Sequence, residues 1–171
     1  MPLLMILRHA KSAWPDVPDR ERPLSDRGRR HAPRAGRWLR DTGIIPDHVT
    51  CSTACRAYQT WQLVEGALRT SPPVTYDDRL YAADREDVLA VIRETADWVT
   101  RLLIIGHEPS MRDVTLHLAG NSGGELLEQV RTKFPTGALA TLRIPSGWAD
   151  LDEGCGTLVG FFTPRQGGVH P

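Results

Sequence analysis

Lysine is scarce in this chain: of 21 basic residues only Lys11 and Lys133 are not arginine. Cysteine is scarce too, and the three present (Cys51, Cys55 and Cys155) are odd in number. Cys51-x-x-x-Cys55 has no second Cys/His pair to complete a zinc site, and nothing suggests a disulfide framework. No stretch approaches the ~20 consecutive apolar residues of a membrane span, and no basic segment followed by an apolar one marks a secretory leader. The expectation is a cytoplasmic protein that does not engage membrane. Net charge is zero, which removes the global electrostatic case for nucleic acid. A glycine-rich phosphate loop ending in Lys-Ser or Lys-Thr is absent, so a P-loop nucleotide site is excluded. Repeats and low-complexity segments are missing as well.

What remains is a chain of 171 residues, the size of one domain, able to bury a full core. Its charge is unevenly placed. Residues 1–40 hold ten basic residues against four acidic ones, leaving +6 there and −6 in the remainder. A local positive field suits an anionic ligand; a solvated basic helix face accounts for part of it.

Leu3 to Leu7 is a run of five apolar residues, the pattern of a short buried strand, and it stops at Arg8-His9. Taken alone, that pair is a polar strand end. A proline-punctuated loop follows, roughly Lys11 to Pro23. Ser25 is an N-cap candidate for a helix whose apolar face is Gly28, Ala32, Ala35, Gly36 and Leu39, with a kink or restart expected at Pro33 and a stop at Gly43. Further strands are expected at His48 to Ser52, Val74 to Tyr76, Leu102 to Ile105, Ala138 to Ile144 and Thr157 to Thr163. Between them, helices are expected after Thr53 (as cap), after an Asp84/Asp87 capping box, and from Pro109. Residues 165–171 read as a flexible tail behind a single domain of residues 1–164.

Strands alternating with helices predict an α/β fold: a single three-layer α/β/α domain with a mainly parallel central sheet. Ligands of such sheets bind beyond the carboxyl ends of the strands. Arg8-His9, Arg56 and His107 each follow a predicted strand and would meet at that edge. Two arginines and two imidazoles make a poor core and a good receptor for a dianion, because guanidinium groups bind phosphate oxygens bidentately. A cysteine-based phosphatase would need a cysteine about six positions before an arginine, a spacing that Cys51 and Cys55 do not provide. His31, His48 and His117 lack converging partners. Tyr58, Trp61, Trp14 and Trp148 are read as packing residues, and Glu108 as an exposed acid at a helix start.

Five segments, in order, resemble the histidine phosphatase superfamily and its SixA-type phosphohistidine phosphatases. They are Leu7-Arg8-His9-Ala10-Lys11-Ser12, Arg22-Pro23-Leu24-Ser25-Asp26-Arg27-Gly28, Cys51-Ser52-Thr53-Ala54-Cys55-Arg56-Ala57-Tyr58-Gln59-Thr60, Ile105-Gly106-His107-Glu108-Pro109 and Phe134-Pro135-Thr136-Gly137-Ala138. The resemblance spans residue 3 to about 164 and implies a phosphoglycerate mutase-like fold. It implies that His9 is a nucleophile forming a phosphohistidine intermediate and that Arg8, Arg56 and His107 hold the phosphoryl group. Arg22, and with it Lys11 and Ser12, would contact the substrate, and no cofactor or metal is expected. Many relatives carry a glutamate general acid where this chain has Tyr81. That departure disfavours alkyl phosphates, whose leaving group needs a proton, and favours a phosphoramidate such as protein phosphohistidine. A small-molecule phosphomonoesterase or mutase of the same superfamily, and a binding module for phosphorylated proteins, are the alternatives.

Overall fold

The apolar run Leu3–Arg8 (β1) lies inside a seven-stranded sheet, with strands on both sides of it, in a computed structural model that describes residues 2–165 and 167–169. Leu4, Met5, Ile6 and Leu7 are fully buried, each contributing ~1.5–3 kcal/mol by removal from water. The other strands are His48–Ser52 (β2), Val74–Asp77 (β3), Arg101–Gly106 (β4), Leu139–Arg143 (β5), Thr157–Thr163 (β6) and Gly167–Val169 (β7). Their order is β3-β2-β4-β1-β5-β6-β7. The sheet is mixed: β3, β2, β4 and β1 run parallel, and β5, β6 and β7 continue it in antiparallel pairs. The parallel half carries the strand ends anticipated from the sequence. Residues 167–169, expected in a frayed tail, instead extend the sheet along the otherwise open edge of β6.

The helices are Asp26–Thr42 (α1), Cys55–Leu68 (α2), Arg85–Arg93 (α3), Ser110–Ala119 (α4) and Glu125–Thr132 (α5). One core joins α1 and α2 to one face of the sheet through Leu39, Trp61 and Val64; the other joins α3, α4 and α5 to the opposite face through Leu89, Val114 and Val130. This is the three-layer α/β/α arrangement. Among the described residues no helix is long and apolar enough to cross a membrane.

Local chemistry explains most boundaries. Ser25 Oγ accepts from Gly28 N and caps α1, and Gly43 ends it at φ 75° in the left-handed region. Asp84 and Asp87 exchange both bonds of a capping box at the start of α3. Two expectations change and one helix is new. Of the kink or restart expected at Pro33, the restart does not occur: α1 is one helix through Pro33. A proline costs ~3 kcal/mol in a helix interior, and the buried face from Gly28 to Leu39 offsets it. Thr53 does not cap α2; its hydroxyl donates to Asp78 Oδ1 instead, and Ala54 takes the cap position. Helix α5 was not expected, because eight residues with only Leu127 and Val130 buried give too short a period to read.

Two glycines set how closely segments approach. A Cβ on Gly36 would lie 2.4 Å from the Val64 carbonyl oxygen, so α1 and α2 meet backbone to backbone. A Cβ on Gly28 would lie 2.1 Å from the Lys11 carbonyl oxygen, which brings the start of α1 against the chain leaving β1.

Candidate active site

β1 and β4 are parallel neighbours, and Arg8 lies opposite Gly106 in their register, so His9 and His107 leave the sheet side by side. Their ring centroids are 5.1 Å apart. The backbone around His9 is held from three directions. His9 N donates to Gly106 O, Gly137 N approaches the carbonyls of Arg8 and His9 at 3.1 and 3.0 Å, and Ala10 N donates to Thr60 Oγ1. Thr60 in turn donates to Arg56 O on α2. Together these bonds tie the backbone at His9 to β4, to α2 and to the turn at Gly137.

The His9 ring is oriented by its own neighbour. Nδ1 lies 2.7 Å from Ala10 O. A carbonyl only accepts, so Nδ1 carries the hydrogen and Nε2 keeps its lone pair. Burial, the adjacent His107 and the nearby Arg56 and Arg8 push His9 down to about 3, leaving it neutral at physiological pH. His107 is lowered to about 4, by burial first and by Arg56 next. Its Nε2 lies 2.8 Å from Ser52 Oγ at the end of β2. Its Nδ1 is buried and has no partner among the described residues, and the same holds for Arg8 Nε.

Arg8 Nη1 donates to Phe134 O at 2.9 Å. Burial lowers the Arg8 pKa, with Glu108 opposing that shift. Glu108 is not the exposed acid expected. It is half-buried, accepts from Arg112 N, and burial raises its pKa.

The loop between β1 and α1 is closed at its base by the Ser12–Leu24 bridge and by Ala13 N donating to Pro23 O. Within it a short turn, Asp19–Glu21, presents Asp19 to two arginines. Arg56 donates to Asp19 O at 2.8 Å and to Asp19 Oδ2 at 3.1 Å. Arg22 donates to Asp19 Oδ1, Ala13 O and Ser12 Oγ. Its guanidinium lies 3.3 Å from the ring centroid of the exposed Trp14. Tyr81 donates to Asp19 Oδ2 at 2.5 Å and stands edge-on to His107 at 5.7 Å. Hydrogen bonds from Tyr81 and Arg22 hold the Asp19 carboxyl far below the usual carboxylate range, and the Tyr81 hydroxyl is raised in return.

His9, Arg8, Arg56 and His107 therefore converge, and Arg22 and Ser12 join them through Asp19. Lys11 does not; it is exposed and lines a neighbouring groove. Tyr58 is 42% exposed rather than part of the core, whereas Trp148 is buried and donates from Nε1 to Val99 O. Asp19, Ser52 and Thr60 were missed. Serine and threonine at strand and helix ends look like ordinary polar residues, and Asp19 shares its loop with Asp16 and Glu21, so only the fold singles them out.

An α/β sheet that delivers two neutral imidazoles and a set of buried guanidiniums to one edge defines a class of enzyme that handles phosphoryl groups. Residues 4–134 match the family model of the histidine phosphatase superfamily, branch 1, and the chain belongs to that superfamily. An uncharacterized protein of Mycobacterium tuberculosis (strain H37Rv) is 44% identical over 162 residues, covering 93% of this chain and all of that one. A structure from Nakamurella multipartitia, provisionally named a phosphohistidine phosphatase SixA, superposes with a TM-score of 0.81 at 31% identity, covering 99% of this chain and 96% of that one. A protein histidine phosphatase SixA in complex with tungstate shares the fold at a TM-score of 0.78 and 24% identity, over 95% of this chain and 97% of that one. The protein is thus a phosphatase that resembles the SixA type.

Proposed function

We propose that the protein dephosphorylates protein phosphohistidine through a covalent intermediate on His9, in the cytoplasm. The observation that carries this reading is the state of His9: a neutral imidazole, its tautomer set by the Ala10 carbonyl, beside a second imidazole and near Arg8 and Arg56. In the first step Nε2 of His9 bonds to phosphorus as the P–N bond of the substrate breaks, and the electron pair returns to the substrate's ring nitrogen. In the second, water displaces His9, inorganic phosphate leaves, and neutral His9 is regenerated. Splitting the displacement in this way replaces one difficult step by two easier ones.

Arg8 and Arg56 neutralise the phosphoryl oxygens in both steps, and the neutral His107 donates a hydrogen bond to them. Leaving a buried polar atom unpaired costs ~1–3 kcal/mol, and Arg8 Nε and His107 Nδ1 are two such atoms that a phosphoryl oxygen would satisfy. The ionised Asp19 carboxyl is a poor proton donor, which supports a substrate that needs none. A phosphorylated imidazole protonated on its distal nitrogen leaves as neutral imidazole, whereas an alkoxide must be protonated as it departs. The provisional name of the Nakamurella structure agrees with this substrate. The three free cysteines suit a reducing compartment.

Labelling with an alkaline quench tests the mechanism. A phosphoenzyme that is acid-labile and base-stable should form in the wild type and vanish in His9→Ala. Undiminished turnover by His9→Ala would overturn it. Turnover of a phosphohistidine protein should exceed that of sugar and glycerate phosphates; the reverse order would move the substrate to small monoesters.

A further inference from the structure

Beside the reaction centre lies a groove of about 720 Å³ that contains neither His9, Arg56 nor His107 and touches the site only at Arg8. Five separate segments build it: the end of β1, the loop after it, the first turns of α1, helix α5 with the chain after it, and the end of β6 with the residues that follow. Besides Arg8 it gathers Lys11, Arg27, Lys133 and Arg165, all four exposed. Among the described residues none of these four forms an ion pair. The one carboxylate in the lining, Glu128, is itself paired with Arg131. Cations in a folded surface normally intersperse with anions, and four unpaired ones around a concave surface focus a positive field. Both lysines of a lysine-poor chain are here.

We infer that this groove binds an acidic polypeptide segment that flanks the phosphorylated residue of a protein substrate, an inference that rests on the phosphohistidine-protein reading above. Arg8 lies where the two regions meet, so a chain in the groove leads directly to the reacting phosphorus. Pro135, Phe161 and Pro164 supply apolar walls between the cations, which suits amino-acid side chains. Phe161 is buried, so the lining offers no open Phe, Tyr or Trp face for stacking a nucleobase, leaving only the half-buried His31 imidazole. The far wall is anchored to α1 by Arg34 Nη1, which donates to Pro164 O at 2.7 Å, so the groove is preformed.

The test is binding of a short fluorescein-labelled peptide rich in Asp and Glu, without phosphate, compared with the same peptide carrying Asn and Gln. The acidic peptide should bind the wild type at least ~10-fold more tightly, and less so as salt rises from ~50 to ~200 mM. Arg27→Glu/Lys133→Glu should abolish that preference, and Arg27→Ala/Lys133→Ala should halve it or more. Both variants should turn over a small phosphoramidate at the wild-type rate, which certifies their fold. Equal binding of the two peptides, an undiminished preference in both variants, or tighter binding of a single-stranded oligonucleotide that the variants abolish would overturn the inference. Hydrolysis of a phosphohistidine peptide is read separately. Charge-selective binding without that hydrolysis would leave the groove in place and remove the proposed reaction.

Discussion

Tyr81 donates to Oδ2 of Asp19 at 2.5 Å, and the same carboxylate receives Arg56 and Arg22. Both guanidiniums also have acceptors that do not depend on this carboxylate: Asp19 O for Arg56, Ala13 O and Ser12 Oγ for Arg22. Their positions are therefore fixed twice, and the Asp19 side chain, half exposed, occupies donors that a phosphate oxygen would use. Asp19→Ala and Asp19→Asn should tighten inhibition by inorganic phosphate or tungstate by about 3- to 10-fold, since one charge-assisted hydrogen bond is worth ~1.5–3 kcal/mol before partial compensation. Inhibition constants measure this. Weaker inhibition would mean that the carboxylate positions the arginines rather than competing with the ligand.

Ser52→Ala removes the partner of His107 Nε2 at a buried site. The imidazole then keeps an unpaired nitrogen and a freer ring, at a cost of ~1–3 kcal/mol. Turnover should fall roughly tenfold, in line with the loss of about 1.4 kcal/mol of transition-state stabilisation. Histidine ring resonances followed by NMR at neutral pH should show that the His107 tautomer is no longer fixed by Ser52, a change that a merely destabilised fold would not give.

Three glycine substitutions separate crowding from chain entropy. Gly36→Ala forces its Cβ onto the Val64 carbonyl and should lower stability by ~1–3 kcal/mol without altering chemistry. Gly28→Ala meets the Lys11 carbonyl and should lower both stability and activity, because that chain segment carries Ser12 toward Arg22. Gly66, inside α2, has nothing within 4 Å of an added Cβ, and Gly66→Ala should stabilise by ~0.5–1 kcal/mol. Denaturant unfolding of the three proteins gives the comparison.

Protons should destabilise this fold in mild acid. His9 and His107 have folded values of about 3 and about 4, below the ordinary histidine value of 6.5, so the unfolded chain binds more protons in that interval. Stability is then complete above pH 6.5 and declines as pH falls, by up to ~1.4 kcal/mol per unit for each histidine. Burial of Glu108 acts in the opposite direction just above its ordinary value. The Asp19 contribution is lost only at lower pH, below 3.8. Unfolding midpoints should therefore drop between pH 6.5 and 4.5, and His9→Ala should flatten that decline.

Of the four strands that build the site side of the sheet, β1 and β4 were legible as short apolar runs that stop at Arg8-His9 and Gly106-His107, and β2 and β3 as short segments holding Val-Thr between helical patterns. The capping box and Ser25 were legible because side-chain caps need specific residues at fixed offsets. Helix α5, Thr53 and Pro33 were not, since each depends on a tertiary partner: the core under Leu127, the Asp78 carboxylate, and the α2 surface. For the site the division is similar. His9, Arg8, Arg56 and His107 follow strands or open helices, so topology alone brings them together. Asp19 lies inside a loop whose closure is set by Ser12, Ala13, Pro23 and Leu24, and no local pattern predicts which of its acids turns inward.

Phe134 belongs to two regions at once. Its ring is buried against Phe161, with centroids 5.3 Å apart, and its carbonyl holds the Arg8 guanidinium. The aim of that cation is thus inherited from the fit of two aromatic rings in the interior. A repacked Phe134–Phe161 pair would be felt as misdirected charge at the reaction centre, through a residue that never meets the substrate. Interior fit and anion geometry here are a single quantity.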